Sequence, residues 1–273
     1  MPSDTLWLIE GAGNDFLVGV GSWSRRLASD PALVARLCRR HRGIGADGVL
    51  ALEVAGEARV RLHYFNADGS RARFCANGTR CAALAAFRLL DVPPDMVVIT
   101  DWAEIPARVD GGQVELRLPT PGPAEEISLD TAGRKWTGIL VEVGVPHLII
   151  AVDEAAEQDF SEAAPALRRH PALGPEGANV SFVNRHSDGT IGLRTFERGV
   201  EGETLSCGSA VVAAGVIEMA DRNVDQVRVR PASGDVLSVE DLGTGFGLTG
   251  PARFIAEVRP VEAGNLKRKM IDR

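Results

Sequence analysis

Two cysteines at matched positions carry the strongest chemical signal in this 273-residue sequence. Cys75 opens "CANGTRC" and Cys207 opens "CGSAVV". Each stands directly before small, glycine-bearing residues that lead into an Ala- and Val-rich stretch. A thiol at the first turn of a helix meets exposed backbone N–H groups, which favour the thiolate. An unperturbed thiol has a pKa near ~8.5, so with one thiol lowered a thiolate and a thiol coexist near neutrality. One then removes a proton from a carbon, the other returns a proton to the opposite face, and the stereocentre inverts. Reacting atoms approach within about 3–3.5 Å, which sets the two sulfurs roughly 6–7 Å apart. Without a pyridoxal or metal electron sink, charge developing at an amino-acid α-carbon moves onto its carboxylate. Backbone N–H groups around 76–78 and 208–210 are placed to bind it, and the glycines allow close approach.

The elements that must position these thiols read as two copies of one unit. Residues 59–87 and 190–218 each begin as a strand, continue through a polar, Gly-containing loop, present a cysteine and end in an apolar helix. In the first copy Val60, Leu62 and Tyr64 alternate with Arg59, Arg61 and His63, the pattern of a strand with one buried face. The helices expected over 77–90 and 209–220 are apolar nearly all round, so each must be wrapped by a sheet. Flanking strands are expected at "DFLVGV", "VLALE" and "QVELRL", then at "GILVEV", "HLIIAV", "VSFVN" and "VRVRP". The resulting expectation is an α+β fold of two pseudo-symmetric halves. Each is a curled, mostly antiparallel sheet around a central helix, with the active site in the cleft between them. The Pro/Gly-dense 119–124 divides residues 1–118, which hold Cys75, from 119–262, which hold Cys207, and the tail 263–273 packs back onto the first half. A separate surface helix at "SDPALVARLCRRH" is capped by Ser29 or Asp30, accommodates Pro31 in its first turn and ends at Gly43. Cys38 and Cys81 read as core packing, and Asp68 as turn chemistry in "NADG".

Composition narrows the functional classes. Hydrophobic residues make up 45% and charged residues 25%, the profile of a globular protein, and the net charge of -7 gives nucleic-acid binding no support. No stretch is apolar for long enough to span a membrane, and the N-terminal residues lack the basic start and apolar run of a signal peptide. Four cysteines are too few for a disulfide scaffold, which points to the cytoplasm. No metal is expected, because Cys75 and Cys81 lack zinc-finger spacing and no second pair supports them.

The segments "GAGNDF", "HRGIGADGV", "FNADGS", "CANGTRC", "GVPH", "PEGANVSFV", "ERGVEGETLSCGSA" and "GLTGPAR" occur in order along nearly the whole chain. Together they resemble the diaminopimelate epimerases. The resemblance implies a cofactor-independent, two-base epimerase that interconverts LL- and meso-diaminopimelate for lysine and peptidoglycan synthesis, commonly as a homodimer. It makes Cys75 and Cys207 the catalytic pair, sets Glu197 near the distal amine and the thiols, and makes His147 a helper in thiol deprotonation. Asn14, Asn66, Asn179 and Arg198 match substrate-contacting positions, with the Arg198 fork suited to a distal carboxylate. Ala76, Asn77, Gly78, Gly208 and Ser209 match the turns that cradle the α-carboxylate. The sequence departs from the family pattern at three places. Ala76 replaces a glycine, which requires a negative φ there; Ala210 replaces another; and Val145 replaces an asparagine expected to reach the substrate's far end. Val145 leaves a second reading open, the same chemistry on another amino acid such as histidine. A third is a non-catalytic ligand-binding or thiol-redox protein, although redox cysteines usually sit close in sequence.

Overall fold

The computed structural model describes residues 5–131, 133–153 and 159–261. The expected contribution of the tail 263–273 lies outside the described residues. The first half runs β1 (Leu6–Gly11), β2 (Asn14–Val20), α1 (Ser22–Ser29), α2 (Pro31–Cys38), β3 (Gly48–Gly56), β4 (Arg59–Asn66), β5 (Arg71–Ala72), α3 (Ala76–Leu89), β6 (Asp95–Ile99), β7 (Glu104–Asp110) and β8 (Gln113–Leu118). The second runs β9 (Glu125–Thr131), β10 (Arg134–Val143), β11 (Val145–Ala151), α4 (Phe160–Arg168), β12 (Asn179–Arg185), β13 (Ile191–Glu197), β14 (Gly202–Thr204), α5 (Gly208–Arg222), β15 (Gln226–Pro231), β16 (Leu237–Asp241), β17 (Phe246–Pro251) and β18 (Arg253–Val258).

Strand pairing shows the duplication directly. In the first half β2 pairs β3 in parallel, β3 pairs β4, β4 pairs β6 in parallel, and β6, β7 and β8 follow antiparallel. The second half repeats this pattern, with β11, β12, β13, β15, β16 and β17 in the corresponding places. The short β5 and β14 each flank the strand before them. Two seams join the halves. β8 pairs with its counterpart β17, and β18 crosses back to pair β1 just as β9 pairs β10. Residues 253–258, placed with the C-terminal half by sequence, thus hydrogen-bond into the first half. Parallel pairs need a crossover, and α3 and α5 supply one in each half between the fourth strand and its parallel neighbour.

Both crossover helices are buried for the reason their composition gives. Ala82, Ala83, Ala85 and Ala86 of α3 are fully buried, as are Ala213 and Ala214 of α5, and all join one core with the surrounding strands. Small side chains let the strands close tightly while alanine keeps helix propensity high. At Gly215 an added Cβ would meet the Val239 side chain at 2.7 Å, so α5 seats against β16 only as glycine. The basic residues Arg88 and Arg222 stand in the last turns, where the helix dipole favours them.

The surface helix departs from expectation. Asp30 caps α2, accepting from the Leu33 N–H at 2.9 Å, and Pro31 occupies the first turn. The helix stops at Cys38, however, and the chain reverses before Gly43, whose N–H bonds the Arg39 carbonyl at 2.7 Å. An added Cβ at Gly43 would lie 2.2 Å from the Arg36 carbonyl, so this glycine is fixed by close packing under the helix end. Cys38 is buried beside Leu33, Val34 and Leu37, and Cys81 is fully buried in the main core. Among the described residues no helix is long and apolar enough to cross a membrane, and no cluster of three metal-ligating side chains occurs.

Candidate active site

Each cysteine is the N-cap residue of its helix. Cys75 precedes α3 with extended backbone (φ −150°, ψ 116°), and its Sγ accepts from the Gly78 N–H at 3.4 Å. Cys207 precedes α5 with a similar backbone (φ −114°, ψ 110°), but its side chain makes no cap hydrogen bond; its Sγ lies 3.4 Å from the Ser209 hydroxyl. A cap's side chain normally satisfies a free first-turn N–H. At Cys75 a sulfur takes the place of the usual oxygen and so sits at the positive end of the dipole.

The two helix N-termini meet. A Cβ on Gly208 would fall 2.5 Å from the Ala76 Cβ and 3.5 Å from Asn77 Oδ1, so only glycine allows this approach. Asn77 crosses between the halves, its Nδ2 donating to the Ser206 carbonyl at 2.9 Å and to Asn14 Oδ1 at 3.1 Å. Ala76 opens α3 with negative φ, which explains how alanine is accepted there. Asn14 in turn donates to Asp47 Oδ2 at 2.7 Å, and Asp47 and Asp15 are held by Arg40. Asn14, Ala76, Asn77 and Gly208 thus meet where the two helix starts approach, with Gly78 on the Cys75 sulfur and Ser209 on that of Cys207.

The electrostatics correct one expectation. Helix N-termini were expected to lower a thiol, but burial outweighs them. Burial pushes Cys75 up to about 11, opposed by the Gly78 amide and assisted by the Glu197 charge. Cys207, 6% exposed, is pushed up further by burial and then by Glu197, with Ser209 pulling the other way. Cys75 is itself among the charges that raise Cys207, which sets the two sulfurs in one electrostatic environment. Both are free thiols. Burial also raises the Glu197 carboxyl, against Thr204 and Cys207, which pull it down.

His147 departs from its expected role. It is fully buried, and neither ring nitrogen has a hydrogen-bond partner among the described residues, so it is not bonded to a thiol. Burial, then the nearby Arg198 charge, pushes it down to about 3, which makes it a neutral imidazole. It faces Asn179 in the parallel register of β11 with β12. Asn179 Oδ1 accepts from the Arg198 backbone N–H at 2.8 Å, and the Arg198 guanidinium is loosely paired with exposed Glu176 at 3.5 Å. Asn66 spends its side chain in its own turn, donating to Ser70 Oγ at 3.0 Å, while Asp68 caps the same turn. Val145 opens β11 as Asn14 opens β2, each two residues before the first residue paired to the next strand. The duplication therefore puts an apolar side chain where the first half has an amide.

Sequence reasoning missed Arg80, Asp47, Tyr64 and the Ser206 carbonyl. Tyr64, the only tyrosine, is raised by burial and then by Cys75 and Glu197, so it borders the site. An arginine inside an otherwise apolar helix was the one visible signal among these. A surface cavity of about 570 Å³ lies nearby, lined by Glu10, Gly13, Leu205 and Ser233 among others. It is lined by neither thiol and borders the site through Gly13 and Asp15, which flank Asn14, and through Leu205, which precedes Ser206.

The family model for diaminopimelate epimerase matches residues 7–127 and 139–255. A diaminopimelate epimerase of Gemmatimonas aurantiaca is 42% identical over 212 residues, 76% of each chain. That of Aquifex aeolicus is 34% identical over 270 residues, covering 93% of this chain and 96% of its own. Among solved structures, a phenazine biosynthesis PhzF-family protein of Enterococcus faecalis superposes with a TM-score of 0.73 at 17% identity, over 94% of this chain and 99% of the other. A hydroxyproline epimerase of Agrobacterium vitis does so with a TM-score of 0.67 at 17% identity, over 93% and 91%. These likenesses show the fold. The family match and the extent of the sequence identity show the rest: this chain belongs to the diaminopimelate epimerase family.

Proposed function

We propose that the chain inverts the α-carbon of LL-diaminopimelate to give the meso form, without a cofactor, using Cys75 and Cys207 as its two bases. The observation that carries this reading is the meeting of two cysteine-capped helix N-termini, one from each half. One thiolate takes the α-proton while the other thiol delivers a proton to the opposite face. The first-turn N–H groups of 76–78 and 208–210 hold the α-carboxylate as charge moves onto it. Because burial favours the protonated form of both thiols, the thiolate forms as the substrate's ammonium group brings positive charge beside it. Arg198, only loosely held by Glu176, exchanges that partner for the distal carboxylate. Glu197 stands beside Cys207, and Asn14, Asn66 and Asn179 position the substrate. Neutral His147 accepts a hydrogen bond rather than a proton. In this reading residues 1–118, joined by β18, form one half of the cleft and 119–252 the other. A cytoplasmic location suits four unpaired thiols, and sedimentation equilibrium decides the homodimer that the resemblance implies.

A second reading keeps the chemistry and changes the substrate, motivated by Val145. Proton exchange in heavy water separates the two. With LL-diaminopimelate as substrate, deuterium enters the inverted α-position of the product faster than it does with monocarboxylic amino acids, without added pyridoxal phosphate. Faster exchange into histidine or another amino acid moves the assignment to the second reading.

A further inference from the structure

Among the described residues Arg80 is the largest fully buried side chain, and it lies about one turn beyond the Cys75 cap in α3. A guanidinium carries five donors and a permanent charge. Two of its nitrogens are engaged: Nη2 donates to Asn77 Oδ1 at 2.8 Å, and Nε to the Pro251 carbonyl at 3.4 Å. Nη1 is buried without a partner. Among the described residues no carboxylate pairs with it. The titratable groups facing it are Cys81 on α3, Cys75 at its cap, Glu10 on β1 and Asp235 between β15 and β16. Glu10 and Asp235 are both committed to Arg253, at 2.6 Å each. A buried cation is costly unless paired, and the uncommitted anions within its field are a Cys75 thiolate and whatever carboxylate docks on the α3 N-terminus.

The same side chain sets the sense of a hydrogen-bond relay. Arginine only donates, so the Asn77 oxygen must face it, which turns the Asn77 NH₂ toward Asn14 Oδ1 and the Ser206 carbonyl. Asn14 must then donate onward to Asp47, which only accepts. A cation at one end and a carboxylate at the other fix every amide between them. The link to Ser206 is also the link to the residue that precedes Cys207 in the opposite half.

We propose that Arg80 is a positioning residue and buried countercharge for the thiol pair: it locks the Asn77 carboxamide that holds the Ser206–Cys207 turn, and it balances the negative charge gathered at the α3 N-terminus. The proposal rests on the two-thiol reading. Its test therefore begins with a readout that needs neither substrate nor turnover.

Iodoacetamide alkylation of Cys75, followed by peptide mass in the full-length protein without substrate, reports its thiolate fraction. Cys75 is also faced by Glu197 and Arg80, Cys207 by Glu197 and Cys75, and Tyr64 borders both. Glu197 is left intact, so a change in rate reads Arg80. In Arg80→Gln, shown to be folded by circular dichroism, alkylation at about pH 8 slows roughly tenfold, one pKa unit's worth, and kcat falls by at least as much. Arg80→Lys keeps the charge and the alkylation rate within about twofold. Its single nitrogen cannot span Asn77 Oδ1 and the Pro251 carbonyl as Nη2 and Nε do, so the Asn77 lock loosens and kcat falls about tenfold with KM little changed. A folded Arg80→Gln with wild-type alkylation overturns the countercharge, and wild-type kcat in Arg80→Lys overturns the lock. If Arg80→Gln does not fold, Arg80→Lys decides alone: wild-type kcat, or alkylation slowed tenfold, overturns the proposal. Unaltered alkylation chemistry in an enzyme that epimerises nothing would instead count against the two-thiol reading.

Discussion

At the scale of single residues, the site sets two carboxylate-like tendencies against each other. Glu197 holds its charge near both sulfurs and raises each of them. Removing that charge therefore makes the thiols easier to ionise. Glu197→Gln is expected to speed iodoacetamide alkylation of Cys75 several-fold at fixed pH while slowing turnover, and a slower alkylation would contradict the assignment. His147 makes the opposite kind of statement. Its folded value near 3 lies below that of an unfolded imidazole, so the unfolded chain binds a proton first as pH falls. Stability is full above about pH 6.5 and is lost between there and about pH 3. Between pH 7 and pH 4.5 this amounts to roughly 2–3 kcal/mol. Urea titrations at those two pH values should show that much more acid loss in the wild type than in His147→Phe. Equal losses in the two proteins would remove the buried neutral imidazole. The sequence made the place of the two cysteines at their helix starts legible, because cap chemistry and repeat position are local. The upward push on both thiols was not legible, because desolvation depends on what tertiary folding packs around a group. The same holds for His147, whose missing partners appear only when its surroundings are assembled.

At the scale of elements, the decisive contact is between the first turns of α3 and α5. Gly208 tolerates no side chain because Ala76 already fills the space, its Cβ 2.5 Å from where another would stand. The usual glycine has become Ala76 on one side, and Gly208 on the other absorbs the methyl. Gly208→Ala should wedge the helix starts apart and cut kcat by about 100-fold or more, since an ångström of misplacement is that costly. The double variant with Ala76→Gly should recover much of it. Failure of the double variant to recover would show that the two methyls are not the obstruction. Both central helices were readable from their unbroken apolar runs, to within a residue or two of their ends. The surface helix α2 was readable from Asp30 and Pro31, but its stop was misplaced. Its last basic residues, Arg39 and Arg40, leave the helix, and Arg40 turns to pair Asp15 and Asp47. Two short helices, α1 and α4, went unread. α1 opens after Gly21 with no side-chain cap, and α4 carries Pro165 inside it, so the signals that mark a helix were absent or inverted.

At the scale of the whole molecule, one duplicated unit has been joined to itself at two seams, β8 with β17 and β18 with β1. The duplication was visible in sequence, since 59–87 and 190–218 carry the same order of strand, loop, cysteine and helix. The return of β18 to β1 was not, because pairing between residues some 250 positions apart leaves no local trace. That return ties the end of one half into the beginning of the other, and each half brings one cysteine-capped helix start to their meeting. The proposed mechanism has a chemical consequence. Two bases from opposite halves do not share a proton, so the hydrogen removed from one face is not the one delivered to the other. The measurement that reaches this claim most directly is the isotope content of the first product formed in heavy water. The two-thiol account predicts that early meso-diaminopimelate carries solvent deuterium at the inverted carbon while unreacted LL substrate keeps its original hydrogen. Early product that retains the substrate's own hydrogen would mean one base serves both faces, and would contradict it.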